Sequence, residues 1–264
     1  MKTDIEKLFE TLWETYSRVA PQVTELKKLF EKNGDTVKND HIALRCFNFP
    51  ESSIDNLTGK FLEVGYSLKD RYEFPNKHLE AVHLEKEGSP LVFISQIKME
   101  KFSHLARRII KETVLPAIDS YTAEDFICGG RNWEINYSDY LALLKESEYL
   151  AWLYVFGFVP NHFTIDVNEL DSFDDISDVN DFLKKEGYEL NTSGGEVKGS
   201  MQDKLRQSST KAQKIKINFT DKKNVEIPSC YYEFAQRYNN FKGFIADSAD
   251  KIFESTDRGS HEKA

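Results

Sequence analysis

Positive charge is in short supply in this 264-residue chain, where 35 Lys and Arg stand against 44 Asp and Glu for a net charge of −9. That balance argues against nucleic acid or an anionic membrane as a partner, because both require a basic face. An anionic small molecule stays possible only where local cations reverse the field. Cysteine is scarce too. Cys46, Cys128 and Cys230 show no Cys-x-x-Cys spacing, and the start Met1-Lys2-Thr3-Asp4-Ile5-Glu6 has no apolar signal core. Both point to reduced thiols in a cytoplasmic setting. No run of about 18 apolar residues offers a membrane helix. GxGxxG and phosphate-loop patterns are missing, and Ser208-Ser209-Thr210 lacks nucleophile-elbow glycines. Dinucleotide, ATP and serine-hydrolase chemistry therefore have no support. Linkers and low-complexity stretches are absent as well, so the chain reads as one domain.

What is present is a repeat. Asp40-His41-Ile42-Ala43-Leu44-Arg45 is followed by a polar stretch and then Phe61 to Leu68 around Gly65-Tyr66. Asn161-His162-Phe163-Thr164-Ile165-Asp166 is followed in the same way by Phe182 to Leu190 around Gly187-Tyr188. His to Gly spans 24 residues in the first copy and 25 in the second. Each copy puts a His near the start of an alternating run, then a helical stretch, then Gly-Tyr entering a second strand.

The rest of the chain arranges itself around these copies. Residues 1–35 predict a helical cap, with apolar positions at helical spacing from Ile5 to Tyr16 and again from Val23 to Phe30. A first βαβββ module is expected over 38–98, with strands at Asp40–Asn48, Tyr66–Tyr72, Leu79–Glu85 and Leu91–Ile97 and a helix at Ser53–Val64. Residues 99–155 form a helical connection, with helices at Phe102–Leu115, ended by Pro116, and at Tyr137–Leu150. A second βαβββ module is expected over 156–257. Its strands are Asn161–Val167, Gly187–Leu190, Ala212–Phe219 and Val225–Arg237, its helix Ile176–Glu186, and 191–199 a polar loop. Residues 258–264 read as a frayed tail. The fold class is α+β, with two βαβββ modules forming one curved mixed sheet around a cleft.

In that arrangement His41 and His162 project into one cleft. Glu233, set in an aromatic strand, is unfavourable there unless paired or bound to a metal. Two His and one carboxylate are the donor set of non-haem Fe(II) oxygenases, though Mn, Zn or Ni also accept such donors. Arg45 shares the strand face of His41 and is costly without an anion, such as a substrate carboxylate. Arg71, Arg206 and Gln207 are weaker candidates for a second anchor, and His83 is left outside the metal set. Blander readings stand beside these. His41 could be a hydrogen-bonded core histidine, although packing does not require His at the same place in both copies. Glu233 could pair with Arg237 or Arg45 as a structural ion pair. Cys46 and Cys230 read as small buried residues.

Asp40-His41-Ile42-Ala43-Leu44-Arg45, Pro160-Asn161-His162-Phe163, Leu205-Arg206-Gln207-Ser208-Ser209 and Tyr231-Tyr232-Glu233-Phe234-Ala235-Gln236-Arg237 together resemble the 2-oxoadipate dioxygenase/decarboxylase family. The resemblance runs from about Asp40 to Asp257 and implies a vicinal oxygen chelate-like fold. It implies a mononuclear Fe(II) held by His41, His162 and Glu233, with Arg45 on a carboxylate of the 2-oxo acid. It also implies conversion of a 2-oxo dicarboxylic acid and O2 to CO2 and a 2-hydroxy acid one carbon shorter. Better-known members are longer and carry extra segments around the substrate, which leaves room for a different 2-oxo acid here. Two other readings remain open: a metal-dependent lyase or isomerase that does not use O2, and a non-enzymatic small-molecule binding protein.

Overall fold

Two antiparallel strands, β1 (Asn39–Phe47) and β5 (His162–Asp166), form the seam of an eight-stranded sheet in this computed structural model, which describes residues 3–245. The first half lies on one side of the seam: β1, α3 (Ile54–Glu63), β2 (Ser67–Phe74), β3 (Leu79–Glu85) and β4 (Leu91–Ile97). The second half is β5, α9 (Ile176–Lys185), β6 (Lys198–Ser200), β7 (Leu205–Ser209) and β10 (Glu233–Arg237). The spatial order β2-β3-β4-β1-β5-β10-β7-β6 is symmetric about the seam. In each half the last strand returns to lie parallel to the first, β4 on β1 and β10 on β5. The sheet curls strongly into a half-barrel, so the expected α+β architecture of paired βαβββ units holds.

The seam strands are covered on both faces, which is why β1 is apolar or paired along nearly its whole length. On the outer face α1 (Asp4–Val19) and α2 (Gln22–Lys32) back the second half, with Trp13 and Tyr16 on Phe163 at ring distances of 5.1 Å. Ser53 caps α3 and Asp175 caps α9, each side chain accepting from a backbone N–H in the first turn. The connection comprises α4 (His104–Thr113), α5 (Leu115–Ile118), α6 (Asp125–Cys128), α7 (Tyr137–Glu146) and α8 (Glu148–Phe156). Every residue of α8 after Glu148 is buried. No helix among the described residues is long and apolar enough to cross a membrane.

The structure corrects several expected elements. Tyr137–Leu150 is two helices, because Ser147 is extended (φ −160°, ψ 123°) and its hydroxyl accepts from Leu150 N to start α8. Pro116 opens α5 instead of closing α4, at a position where a missing N–H costs nothing. Gly187–Leu190 contributes only a single bridge, Leu190 to Thr210. The strand expected over Ala212–Phe219 narrows to β8 (Lys214–Ile217), and Val225–Arg237 splits into β9 (Val225–Pro228) and β10. β8 and β9 pair with each other as a hairpin outside the main sheet. The third strand of the second half is instead β7, a segment to which the sequence pattern assigns no element, and the expected loop ends early where β6 begins. Residues 246–257 of the expected second module and the tail 258–264 lie outside the described residues.

Candidate metal centre

Period two along β1 turns His41, Ala43 and Arg45 to the concave face. The seam register sets His41 opposite Thr164 and Ala43 opposite His162, so the two imidazoles share that face with ring centroids 5.5 Å apart. Glu233, the first residue of β10, also pairs with Thr164 and faces the same way. His41 Nε2 lies 3.5 Å from Glu233 Oε1, and His162 Nε2 lies 3.4 Å from Oε2. One donor atom from each residue falls within 4.8 Å of the others. All three residues are buried, Glu233 to 1% exposure.

These three side chains fit a metal ion better than they fit one another. Glu233 Oε2 is buried without a hydrogen-bond partner. Donors about 3.4 Å apart are spaced as neighbouring ligands around an ion with bonds of about 2.1 Å. Burial pushes the Glu233 carboxyl up, against the pull of His41 and Gln207. Burial, then the positive fields of His41 and Arg45, holds His162 well below the ordinary imidazole range, so it stays a neutral donor.

Surrounding groups fix the orientation. His41 Nδ1 is 2.6 Å from Asp40 Oδ2, and His162 Nδ1 is 3.1 Å from Asn161 Oδ1. Each contact places the ring proton on Nδ1 and leaves Nε2 as an acceptor on the Glu233 side, where Thr164 Oγ1 also lies 3.1 Å from His41 Nε2. Gln207 Nε2 donates to Glu233 Oε1 at 2.5 Å. Arg237 grips Asp40 with Nε at 2.5 Å and Nη2 at 3.0 Å. Burial alone would raise the Asp40 carboxyl, but Arg237 and His41 outweigh it and hold it well below the usual carboxylate range.

Arg45 is 3% exposed, lies over Tyr149 and Trp152 at 4.6 and 4.9 Å, and leaves Nη2 without an acceptor. Burial lowers its pKa. An unsatisfied buried guanidinium beside a cluster of donors is an anion site in waiting. Neither ion pair weighed for Glu233 forms: Arg237 is engaged by Asp40, and Arg45 packs on aromatic rings. Of the weaker anchors, Arg71 pairs with the exposed Asp55 and Arg206 with Asp175, both away from the centre. Gln207 alone belongs to it. His83 is buried in the concave wall, held by Tyr72 and Glu85, and is not among the clustered donors. Cys46 and Cys230 are fully buried, and burial pushes the Cys230 thiol up to about 12.

Asp40, Asn161 and Arg237 are supports that reading the sequence misses. A signal exists: each repeated His is preceded by a residue with a side-chain carbonyl oxygen, Asp40 in one copy and Asn161 in the other.

The chain has relatives among known proteins. A family model described as 2-oxoadipate dioxygenase/decarboxylase matches residues 127–241. The chain is 34% identical over 250 residues to a chloroplastic 2-oxoadipate dioxygenase/decarboxylase of Arabidopsis thaliana, covering 82% of this chain and 67% of that protein. The crystal structure of hydroxyglutarate synthase from Oryza sativa in complex with 2-oxoadipate matches with a TM-score of 0.88 at 29% identity, over 96% of this chain and 92% of that one. A structure from Shewanella frigidimarina NCIMB 400, described provisionally as a hydrolase, matches with a TM-score of 0.84 at 42% identity, over 93% of this chain and 99% of that one.

Proposed function

Since the chain belongs to the 2-oxoadipate dioxygenase/decarboxylase family, we propose that it is an Fe(II)-dependent enzyme converting a 2-oxo dicarboxylic acid and O2 to CO2 and a 2-hydroxy acid one carbon shorter. With 2-oxoadipate the product is 2-hydroxyglutarate, and both atoms of O2 are accounted for in the shortened acid. The observation that carries this reading is the convergence of His41, His162 and Glu233 beside an unsatisfied Arg45.

In this reading His41, His162 and Glu233 would hold the ion, and three protein donors would leave it able to take substrate and O2. The ion supplies Lewis acidity and the redox chemistry that O2 requires. The protein does the remaining work. Arg45 Nη2 receives a substrate carboxylate, and the rings of Tyr149 and Trp152 keep the guanidinium from turning away. Tyr149 is itself fixed, its hydroxyl donating to Ser95 O at 2.7 Å. Asp40 and Asn161 hold the imidazole tautomers, and Gln207 holds the carboxylate. Buried Ala43, Leu91, Phe93, Tyr149 and Trp152 would limit water around these groups and so strengthen each of these contacts.

The test is anaerobic reconstitution with Fe(II), followed by an oxygen electrode with a panel of 2-oxo acids. Oxygen uptake matched by CO2 release is expected. A protein that binds metal yet consumes no oxygen with any 2-oxo acid removes this reading and returns the oxygen-independent lyase or isomerase.

A further inference from the structure

The metal centre is less symmetric than the fold that carries it, and the difference is concentrated on Phe244. Glu233 stands beside Thr164, two residues after His162. The matching position in the first half stands beside Ala43, two residues after His41, and is occupied by Phe93. Symmetry would put a second carboxylate there; the chain puts an aromatic ring. Phe244 lies on that ring at 4.8 Å and meets His41 edge-on at 4.9 Å and 86°. It also contacts His83 at 5.5 Å and Tyr72 at 6.4 Å.

Phe244 does not reach this place through its own strand. It follows β10, in the second half, and crosses to the first. Arg237 directs the crossing. Nη1 donates to Phe241 O at 3.2 Å and to Gly243 O at 2.8 Å, and the guanidinium lies 5.1 Å from the Phe244 ring centre. Phe244 N–H donates to the Tyr72 hydroxyl at 3.2 Å. The guanidinium that seats this turn is the same one that holds Asp40 against His41. Among the described residues the second half has no such plug: His162 stacks instead on Tyr231, just ahead of β10, at 4.8 Å.

We propose that Phe244 is a specificity-determining residue, a wall that closes the first-half side of the cleft and sets the length of 2-oxo acid the site accepts. The inference rests on the function proposed above. With Phe244 in place, the concave surface of β3 and β4 around His83 and Phe93 is covered. A substrate is then confined to the side of Ala43, Arg45 and α8. Removing the ring opens a pocket bounded by Tyr72, His83, Phe93, His41 and the Arg237 guanidinium, with Phe93 and the Tyr72 ring as its apolar walls and Tyr72 and His83 already hydrogen-bonded to each other at 2.8 Å. Extra methylenes of a longer acid would fill it.

The experiment is calorimetric titration of the metal-loaded protein, oxygen excluded, with 2-oxoadipate, its seven-carbon homologue and a bulky monocarboxylic 2-oxo acid. The parent protein, Phe244→Leu and Phe244→Ala are compared, with thermal melts to establish folding. Phe244→Ala is expected to shift the ratio of affinities toward the longer acids by about tenfold, and Phe244→Leu by less. If the folded variants keep the parent's ratio, Phe244 only packs and the proposal fails. If Phe244→Ala does not fold, Phe244→Leu decides by the same ratio. The parent's own titration tests the underlying function separately: tight binding there with an unshifted ratio sinks the wall alone, whereas no binding of any acid sinks both.

Discussion

At the scale of single residues, the centre shows how much of a ligand's behaviour is set by what stands behind it. Asp40 is adjacent to His41 in sequence, and neighbours on a regular strand face opposite ways. The register of β1 on β5 slips between Asn39 and His41, and this irregularity lets the Asp40 carboxylate turn back to His41 Nδ1. Asp40→Asn is expected to weaken metal binding by about 10–100-fold, read by competition with a chromogenic chelator; an unchanged affinity would mean that the seam alone orients His41. Asp166 makes a different case. Burial, then the charge of Asp40, raises its pKa to about 6, above the ordinary unfolded value of about 3.9. The native state therefore holds a proton that the unfolded chain has released between about pH 4 and 6, and stability falls as pH rises through that window. Above it the ionised Asp166 is a standing cost. Asp166→Asn is expected to stabilise the protein by about 1–2 kcal/mol at about pH 7.5, after allowing for its partial exposure, with the gain gone below about pH 4. Urea melts at the two pH values check the sign.

At the scale of elements, the junction between α8 and β5 is the most constrained turn described. Gly157 ends α8 at φ +69°, and a Cβ there would stand 2.2 Å from Gly130 O. Gly130 and Phe158 exchange both backbone hydrogen bonds at that point, so neither chain can retreat. Gly157→Ala is expected to cost about 3 kcal/mol, combining strain with the clash; a loss under about 1 kcal/mol in a urea melt would show slack in the turn. This junction was not legible in the sequence beyond a glycine after an apolar run. Elements whose pattern repeats with a clean period were legible: β1, β3, β4, α3 and α9 sit where alternation or helical spacing puts them. β7 was not, because Arg206, Gln207, Ser208 and Ser209 have no apolar alternation. Gln207, Ser208 and Ser209 are nevertheless buried. Their polar atoms are satisfied by partners distant in sequence, Ser208 by Asn180 and Gln207 by Glu233. β8 misled for the opposite reason: Lys214 to Ile217 alternates well, but the strand pairs in a hairpin rather than in the main sheet. His41, His162, Glu233 and Arg45 were readable because the repeat flagged two of them and burial of charge flagged the others. Phe244 carried no signal, since its position depends on a turn gripped by Arg237.

At the scale of the whole molecule, the two halves meet along the β1–β5 pair, at one cluster of donors with a His from each side, and through Arg237 on Asp40 and Phe244 on Phe93. An ion bound at that cluster would tie the halves together and would stabilise the native state to the extent that it binds that state alone. At a free metal concentration about 100 times the dissociation constant the stabilisation is about 2.7 kcal/mol. Stripping the metal with a chelator is expected to lower Tm by roughly 5–10 °C, and equal melts with and without chelator would argue that the cluster holds no ion. The separations of the paired strands along the chain set an expected order of assembly. β2, β3 and β4 are joined by short turns and zip up locally. β10 closes on β7 and β5 across shorter stretches of chain than the seam, which pairs His41 of β1 with Thr164 of β5, so the union of the two halves is the longest and latest closure. Glu233 is thus set beside His162 before His41 arrives, and a chain caught midway presents one imidazole and the acid without the second imidazole. In stopped-flow refolding, chelator-resistant metal capture should grow in with the slowest phase. Capture in the burst would show that the seam is paired from the start.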